Sequence, residues 1–303
     1  IHRRIDLEKM DRRIKTKGEK IFQVFNILIM LLSSFIMIYP IWHVLCASFS
    51  DANLLLKHKG ALFLPKGFST AAYIQVSKNP MILKSYANTI FIVVFGVTVN
   101  IVLTSMTAYV LSRKNVYFKK LLTVLIIVTM YVSGGTIPFY FLVKGIGLEN
   151  SLWSVILPTA INTYNLIILK SAFASIPDSM EESARLDGAG HMRILFSIIL
   201  PLARATVAVV LLYYAVEHWN SWFNAVLFLN DREKYPLQLI LREILIQNDT
   251  SSMAQGFSMS DQFSIAESIK YAVTIVATVP ILCVYPFLQK YFASGVMQGA
   301  VKG

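Results

Sequence analysis

The sequence has little charge. Of its 303 residues 15% are Asp, Glu, Lys or Arg, while 55% are hydrophobic and the mean hydropathy is +0.58. A soluble domain carries about 25% charged residues to coat its surface. This chain cannot cover itself with polar groups, so its outer surface faces something other than water. Cysteine is scarce too. Cys46 and Cys283 each lie inside an apolar run, which excludes a disulfide framework and reads as two buried free thiols. Glycine and proline number 14 and 10, too few for a collagen-like or low-complexity chain. The histidines His2, His43, His58, His191 and His218 are scattered through tail, spans and loops without ligand spacing, so no metal site is expected. No nucleophile, base or metal cluster stands at a span end, so no catalytic residues are expected. A Gly-x4-Gly-Lys-Ser/Thr phosphate loop is also missing.

What is present is a series of long runs without Asp, Glu, Lys or Arg: residues 21–50, 85–112, 121–143, 150–169 and 271–289, with a sixth, 205–230, broken only by Glu217. A helix needs about 20 apolar residues to cross the roughly 30 Å hydrocarbon core. Six spanning helices are therefore expected, an all-α membrane protein. The first run is far longer than the core of a cleaved signal peptide and reads as an uncleaved anchor.

Basic residues set the orientation. Residues 1–20 form a basic segment, and the connections after the second and fourth spans and the C-terminus add more. Together they hold 18 of the 28 Lys and Arg. That side is expected to be cytoplasmic, with both termini on it. The net charge of +11 is thus a topology signal, and nucleic acid is not needed as a partner. The opposite side carries two longer segments, 51–84 with the turn signals Pro65-Lys66-Gly67 and Asn79-Pro80, and 231–270 with Thr250-Ser251-Ser252 and Gly256. Residues 21–303 are expected to form one six-span membrane domain.

The connection at about 175–201 reads as more than a loop. Pro177 ends the preceding helix, and Ser179 with Glu182 fits a capping box. Gly188 suits a left-handed C-terminal cap. A short helix over 180–187 is expected outside the bilayer, with Met180, Ala184 and Ala189 as apolar contacts and Glu181 and Arg185 as polar ones. A second amphipathic piece runs from His191 to Leu200, and Pro201 opens the fifth span. By physics alone, a helix lying on lipid headgroups and a helix docking a cytoplasmic partner fit equally.

The order Glu182-Ser183-Ala184, then Gly188, then Ile198-x-Leu200-Pro201 resembles the signature loop of ABC-importer permease subunits: Glu-Ala-Ala, three residues, Gly, nine residues, Ile-x-Leu-Pro. Asp187-Gly188-Ala189 matches the sugar branch. Ser183 replaces the first Ala, and Ala205 stands where a second Pro is common. Gly134-Gly135-Thr136-Ile137-Pro138, Gly147-Leu148-Glu149-Asn150-Ser151, Trp219-Asn220-x-Trp222, Tyr235-Pro236-Leu237 and the tail with Gln289-Lys290-Tyr291-Phe292 and Gly299-Ala300-Val301-Lys302-Gly303 resemble carbohydrate permeases of the maltose-type, MetI-like family. They are most similar to the branch for polysaccharide-derived oligosaccharides.

The resemblance implies the type I ABC importer permease fold in a bacterial plasma membrane. It implies a second six-span permease subunit as partner, two cytoplasmic ATPase subunits that hold the ATP and Mg, and an extracytoplasmic solute-binding protein that delivers a sugar. This chain would need no cofactor of its own. The resemblance assigns coupling to the ATPase to Glu182, Ser183, Ala184, Asp187, Gly188 and Ala189.

Polar residues in lipid-length helices normally face the bundle interior. On the fifth span Tyr213, Glu217, Asn220, Ser221 and Asn224 recur at helical spacing, with Trp219 and Trp222 beside them. The stripe reads as a sugar path, with amides for hydroxyls and aromatic rings for C–H faces. It reads also as helix–helix glue or a contact with the partner subunit, and the tryptophans as interfacial anchors. On the fourth span Thr159, Asn162, Thr163 and Asn165 either line the same path or satisfy a helix break after Pro158. Asn100, Thr104 and Thr107 read as packing. Two other functions remain at this level: a permease for another small solute of the same superfamily, and a secondary transporter with Glu217 as proton carrier.

Overall fold

The computed structural model describes residues 16–246 and 259–300, and within the last helix the side chains of 265–284 and 286. Most of the basic segment, Thr250-Ser251-Ser252, Gly256 and Val301-Lys302-Gly303 lie outside the described residues. Among the described residues helices dominate, and the one β pairing is an isolated bridge between Ser50 and Phe68.

The chain opens with α1 (Lys17–Ser48), whose first turn is closed by a reciprocal capping box between Thr16 and Glu19. Two short helices follow, α2 (Ala52–Lys57) and α3 (Ala71–Lys78), and then α4 (Pro80–Ser112). Pro80 starts α4 without forfeiting a hydrogen bond, because an N–H at that position has no partner inside the helix. At the other end the Lys119 ammonium donates to the carbonyls of Ser112 and Arg113. Next come α5 (Lys119–Tyr131) and α6 (Thr136–Gly145), then α7 (Trp153–Ile156) with a tight turn over Leu157–Thr159, and α8 (Thr163–Ala174). The short α9 (Asp178–Leu186) leads into α10 (His191–Leu202) and α11 (Arg204–Trp219). The chain continues through α12 (Phe223–Phe228), α13 (Leu237–Ile246) and α14 (Met259–Ala300).

Among the described residues three segments are long and apolar enough to cross a bilayer alone: α1, α4 and Ile265–Val284 of α14. At 1.5 Å per residue the 32 residues of α1 reach about 48 Å, more than the hydrocarbon core. The third and fifth expected spans are not single helices. Between α5 and α6 the chain bends by 116°, and between α10 and α11 by 92°. Pro201, expected to open the fifth span, lies instead in the last turn of α10, before the bend, and α11 begins at Arg204. The fourth run is interrupted between Thr159 and Thr163; among the described residues three helices are long and apolar enough to cross alone, or up to five if each bent pair is one span.

Helices α4, α8, α11 and α14 form the packed centre. One apolar cluster joins Leu166, Leu169 and Phe173 of α8 to Tyr109 and Leu111 of α4, Val210 and Tyr214 of α11, and Ala184 of α9. A second cluster, nearer the other end of α4, joins Ile82 to Leu237 and Ile240 of α13 and Ile269 and Val273 of α14. By contrast, Phe22, Phe25, Leu32 and Ile36 of α1 stay exposed. An apolar exterior is what a lipid solvent requires. Cys46 is buried, but Cys283 is exposed on α14, which corrects the expectation of two buried thiols.

Candidate functional site

The α9 helix projects beyond the end of α4. Its first turn holds Asp178 and Glu181 and its last turn Arg185, the arrangement a helix dipole favours. The capping box expected from Ser179 and Glu182 does not form. The helix starts one residue before Ser179, with Pro177 as its N-terminal boundary and no side-chain cap. Pro177 fixes the entry, and its ring offers no acceptor to the free N–H groups of the first turn. At the far end Gly188 has φ +80°, and the N–H groups of Gly188 and Ala189 donate to the carbonyls of Arg185 and Ala184 at 3.0 and 2.9 Å. The left-handed cap is present as expected.

The two faces of α9 differ. Glu181 and Ala184 are buried, while Glu182, Ser183, Leu186, Asp187 and Gly188 are exposed. The expected apolar contact of Met180 is not made, since Met180 is exposed, and of the two polar residues Glu181 is buried while Arg185 is exposed. Ala184 packs in the α4–α8–α11 cluster and Ala189 packs against it. Those two residues of the signature hold the helix to the bundle; the exposed ones present a surface.

Glu181 is the residue that sequence reasoning missed. Its Oε1 accepts from the Tyr109 hydroxyl at 2.9 Å and from Arg185 at 2.6 Å, and its Oε2 accepts from Arg113 at 2.7 Å. Burial opposes the carboxylate charge. The Tyr109 hydroxyl and the two guanidiniums outweigh that effect and hold Glu181 below the usual carboxylate range. A depressed acid contributes its stabilisation above its unfolded pKa and loses it as pH falls through the folded one. The cluster is therefore intact at neutral pH and weakens on acidification. Arg113 also donates to the Phe173 carbonyl at 2.9 Å, tying in the end of α8. Lys114 and Asp178 pair at 2.7 Å on the surface. The sequence offered one signal: Tyr109 and Arg113 stand four apart at the C-terminal end of α4, Arg113 being its C-cap residue.

The polar stripe resolves differently. Helix α11 stops at Trp219, and α12 starts at Phe223, so the stripe crosses a break. The break nevertheless gathers Glu217, Asn220, Ser221, Trp222 and Asn224 around one cavity of 170 Å³. The Asn220 amide and the Ser221 hydroxyl donate to the carbonyls of Val216 and His218 in the last turn of α11, which also accept the backbone N–H groups of Asn220 and Ser221. Tyr213 lies outside this group, with its ring 6.3 Å from Tyr164. Trp219 points elsewhere: its indole N–H donates to Ala277 O at 3.3 Å and its ring meets Tyr86, so it packs α11 against α14. Trp222 takes the place beside the cavity, with Arg242 4.7 Å above its ring.

The fourth-span cluster divides: Thr159 lines the same cavity as Glu217, Thr163 Oγ1 lies 3.2 Å from Thr129 Oγ1, and Asn162 serves the helix break. Asn162 Oδ1 accepts from the N–H groups of Tyr164 and Asn165 and caps α8, while the Asn162 amide reaches Glu217. The Tyr214 hydroxyl accepts from Asn162 N–H at 3.0 Å and meets Thr104 Oγ1 at 2.7 Å. Asn100 donates to the Thr159 carbonyl at 3.2 Å, and its Oδ1 lies 3.4 Å from His218 Nε2. Asn100 and Thr104 are thus buried partners of interrupted backbone as well as packing. An unpaired peptide group in lipid costs several kcal/mol (roughly), so these side chains are what permits the break. Thr107 bonds only its own helix, at the Leu103 carbonyl.

A family model for the binding-protein-dependent transport system inner membrane component matches residues 100–298. The chain is 43% identical over 289 residues to the polygalacturonan/rhamnogalacturonan transport system permease protein YtcP of Bacillus subtilis, covering 93% of this chain and 99% of that protein. It is 41% identical to protein LplC of the same organism, covering 95% and 97%. Among solved structures, a bacterial ABC transporter involved in the import of the acidic polysaccharide alginate superposes with a TM-score of 0.83 at 29% identity, covering 92% of this chain and 99% of that one. With two thirds of its length inside the family model, and relatives of over 40% identity matched nearly end to end, the chain belongs to the family of binding-protein-dependent transport system inner membrane components, the membrane permeases of ABC importers.

Proposed function

We propose that the chain forms half of the membrane path for an oligosaccharide derived from an acidic polysaccharide. In this reading it crosses the plasma membrane six times with both termini in the cytoplasm, the fourth crossing being the interrupted α7–α8. A second permease subunit completes the path, two ATPase subunits holding ATP and Mg bind the α9 end, and an extracytoplasmic binding protein delivers the sugar at the other end. The observation that carries the reading is the exposed face of α9, with Glu182, Ser183, Leu186 and Asp187 presented beyond the bundle. Leu186 is 89% exposed, an apolar side chain on a polar helix that a protein groove would cover. The acidic substrate is supported by the names of the relatives, two of which concern galacturonan and alginate, and by Arg242 stacked on Trp222 at the cavity.

Within the path, Glu217, Asn220, Ser221 and Asn224 supply hydrogen-bonding groups and Trp222 an aromatic face. Asn162, through Glu217, sets the carboxylate's direction. Tyr213 extends the same side of α11 toward α8. Asn224 makes no hydrogen bond among the described residues, so its amide is free for a hydroxyl. Asn224→Ala is expected to lower uptake of labelled oligogalacturonide by assembled complexes in liposomes about tenfold, the size of one or two lost hydrogen bonds, with complex yield unchanged. Unchanged uptake would remove the cavity from the path.

A further inference from the structure

Besides the apolar contacts of Ala184 and Ala189, the α9 helix is attached to the bundle by a buried charged cluster, and this ionic attachment has a mechanical meaning. We infer that Glu181, Arg113 and Tyr109 form the joint that carries movement of α9 into the spanning helix α4, with the α8 end drawn along through the Phe173 carbonyl. The inference rests on the reading of α9 as the ATPase-docking element.

Three observations support it. First, the two faces of α9 divide the labour: the outward face is free for a partner, and the inward face contributes Glu181 and the small Ala184. Alanine contacts slide easily, whereas both carboxylate oxygens of Glu181 are held in directed hydrogen bonds to side chains of α4 and of α9 itself. Second, Arg113 and Glu181 side chains are only 12% and 7% exposed. Separating them would leave a buried charge uncompensated, so the pair moves as a unit. The neighbouring Lys114–Asp178 pair is 80% and 50% exposed, and screened pairs of that kind hold little. Third, a cavity of 480 Å³ adjoins the joint, lined by Tyr109, Arg113, Arg185, His191, Met106 and Met192 among others. Packing is open on that side, which leaves the ionic attachment to decide where α9 sits against α4. Glu181, Arg113 and Tyr109 are thus positioning residues: they touch no substrate and act through α4.

The test uses the whole complex in liposomes: this permease, its second permease, the ATPase subunits and the binding protein, with labelled oligogalacturonide. The readout is sugar taken up per ATP hydrolysed. Glu181→Gln and Arg113→Met are expected to assemble and to hydrolyse ATP, while the ratio falls about tenfold, within the range by which such linking residues alter coupling. Glu181→Asp, which keeps the charge one methylene short, is expected to recover part of it. A fall of uptake and hydrolysis in parallel, with the ratio unchanged, overturns the joint and leaves structural support only. If Glu181→Gln does not assemble, a wild-type ratio in Arg113→Met overturns it equally. A cross-link from Leu186→Cys to the ATPase separates the two ideas. Cross-linking with an unchanged ratio in Glu181→Gln sinks the joint alone. No cross-link in the otherwise native complex sinks the docking reading, and the joint with it.

Discussion

Gly188→Val is expected to abolish uptake while the subunit still reaches the membrane. A Cβ at Gly188 would meet no heavy atom within 4 Å, so space is not the obstacle. The obstacle is φ +80°, a left-handed conformation that costs an L-residue roughly 1–2 kcal/mol and a β-branched one more. The chain would relieve this strain by reopening the turn between α9 and α10. The N–H bonds from Gly188 and Ala189 back to α9 would then be lost, and the exposed face of α9 would turn away from its partner. Gly188→Asn, a residue that visits this region readily, is expected to keep most uptake. Immunoblots of membranes together with uptake assays check both variants. Loss of the assembled complex from the membrane, instead of loss of uptake, would show that Gly188 supports the fold and not the coupling.

The second large effect belongs to Gly96, in the middle of α4. A Cβ there would lie 2.5 Å from His218 Nε2 and 2.8 Å from two ring carbons. The ring is buried between α4 and α11 and Asn100 lies 3.4 Å from its Nε2, so it has nowhere to retreat. Overpacking of this kind costs about 1–3 kcal/mol. Gly96→Ala should lower the thermal midpoint of the purified complex, and Gly96→Leu should prevent its accumulation. His218→Ala creates a cavity and is destabilising alone. Combined with Gly96→Ala it relieves the overlap, so the double variant should be less unstable than the sum of the singles. Additive losses would mean that α4 and α11 do not approach as described.

The membrane character, the α9 cap and the signature surface were legible in the residues. Charge-free runs report burial in lipid directly, because a lipid-facing helix has no polar periodicity to obscure. Gly188 was readable because a left-handed cap selects glycine by local sterics alone. The capping box was misread: Ser179 and Glu182 have the right spacing, but Pro177 is the N-cap and the helix starts at Asp178, one residue before Ser179, and spacing carries no information on where a turn begins. Trp219 and Asn220 look like one stripe in sequence. The end of α11 sends the first toward α14 and the second toward the cavity.

Composition and local pattern, then, determined that this chain lives in a membrane, where its short helix ends and which of its residues have the family's signature. Only the tertiary structure decided that Glu181, and not Glu182, is the buried carboxylate, that the third, fourth and fifth runs are bent or broken, and that Asn100, Thr104 and Tyr214 stabilise the break in the fourth. The reason is physical. Burial in lipid and turn strain are properties of a few consecutive residues, whereas the partner of a buried charge or of a freed carbonyl comes from tens of residues away, as Arg113 does for Glu181 and Asn100 for Thr159.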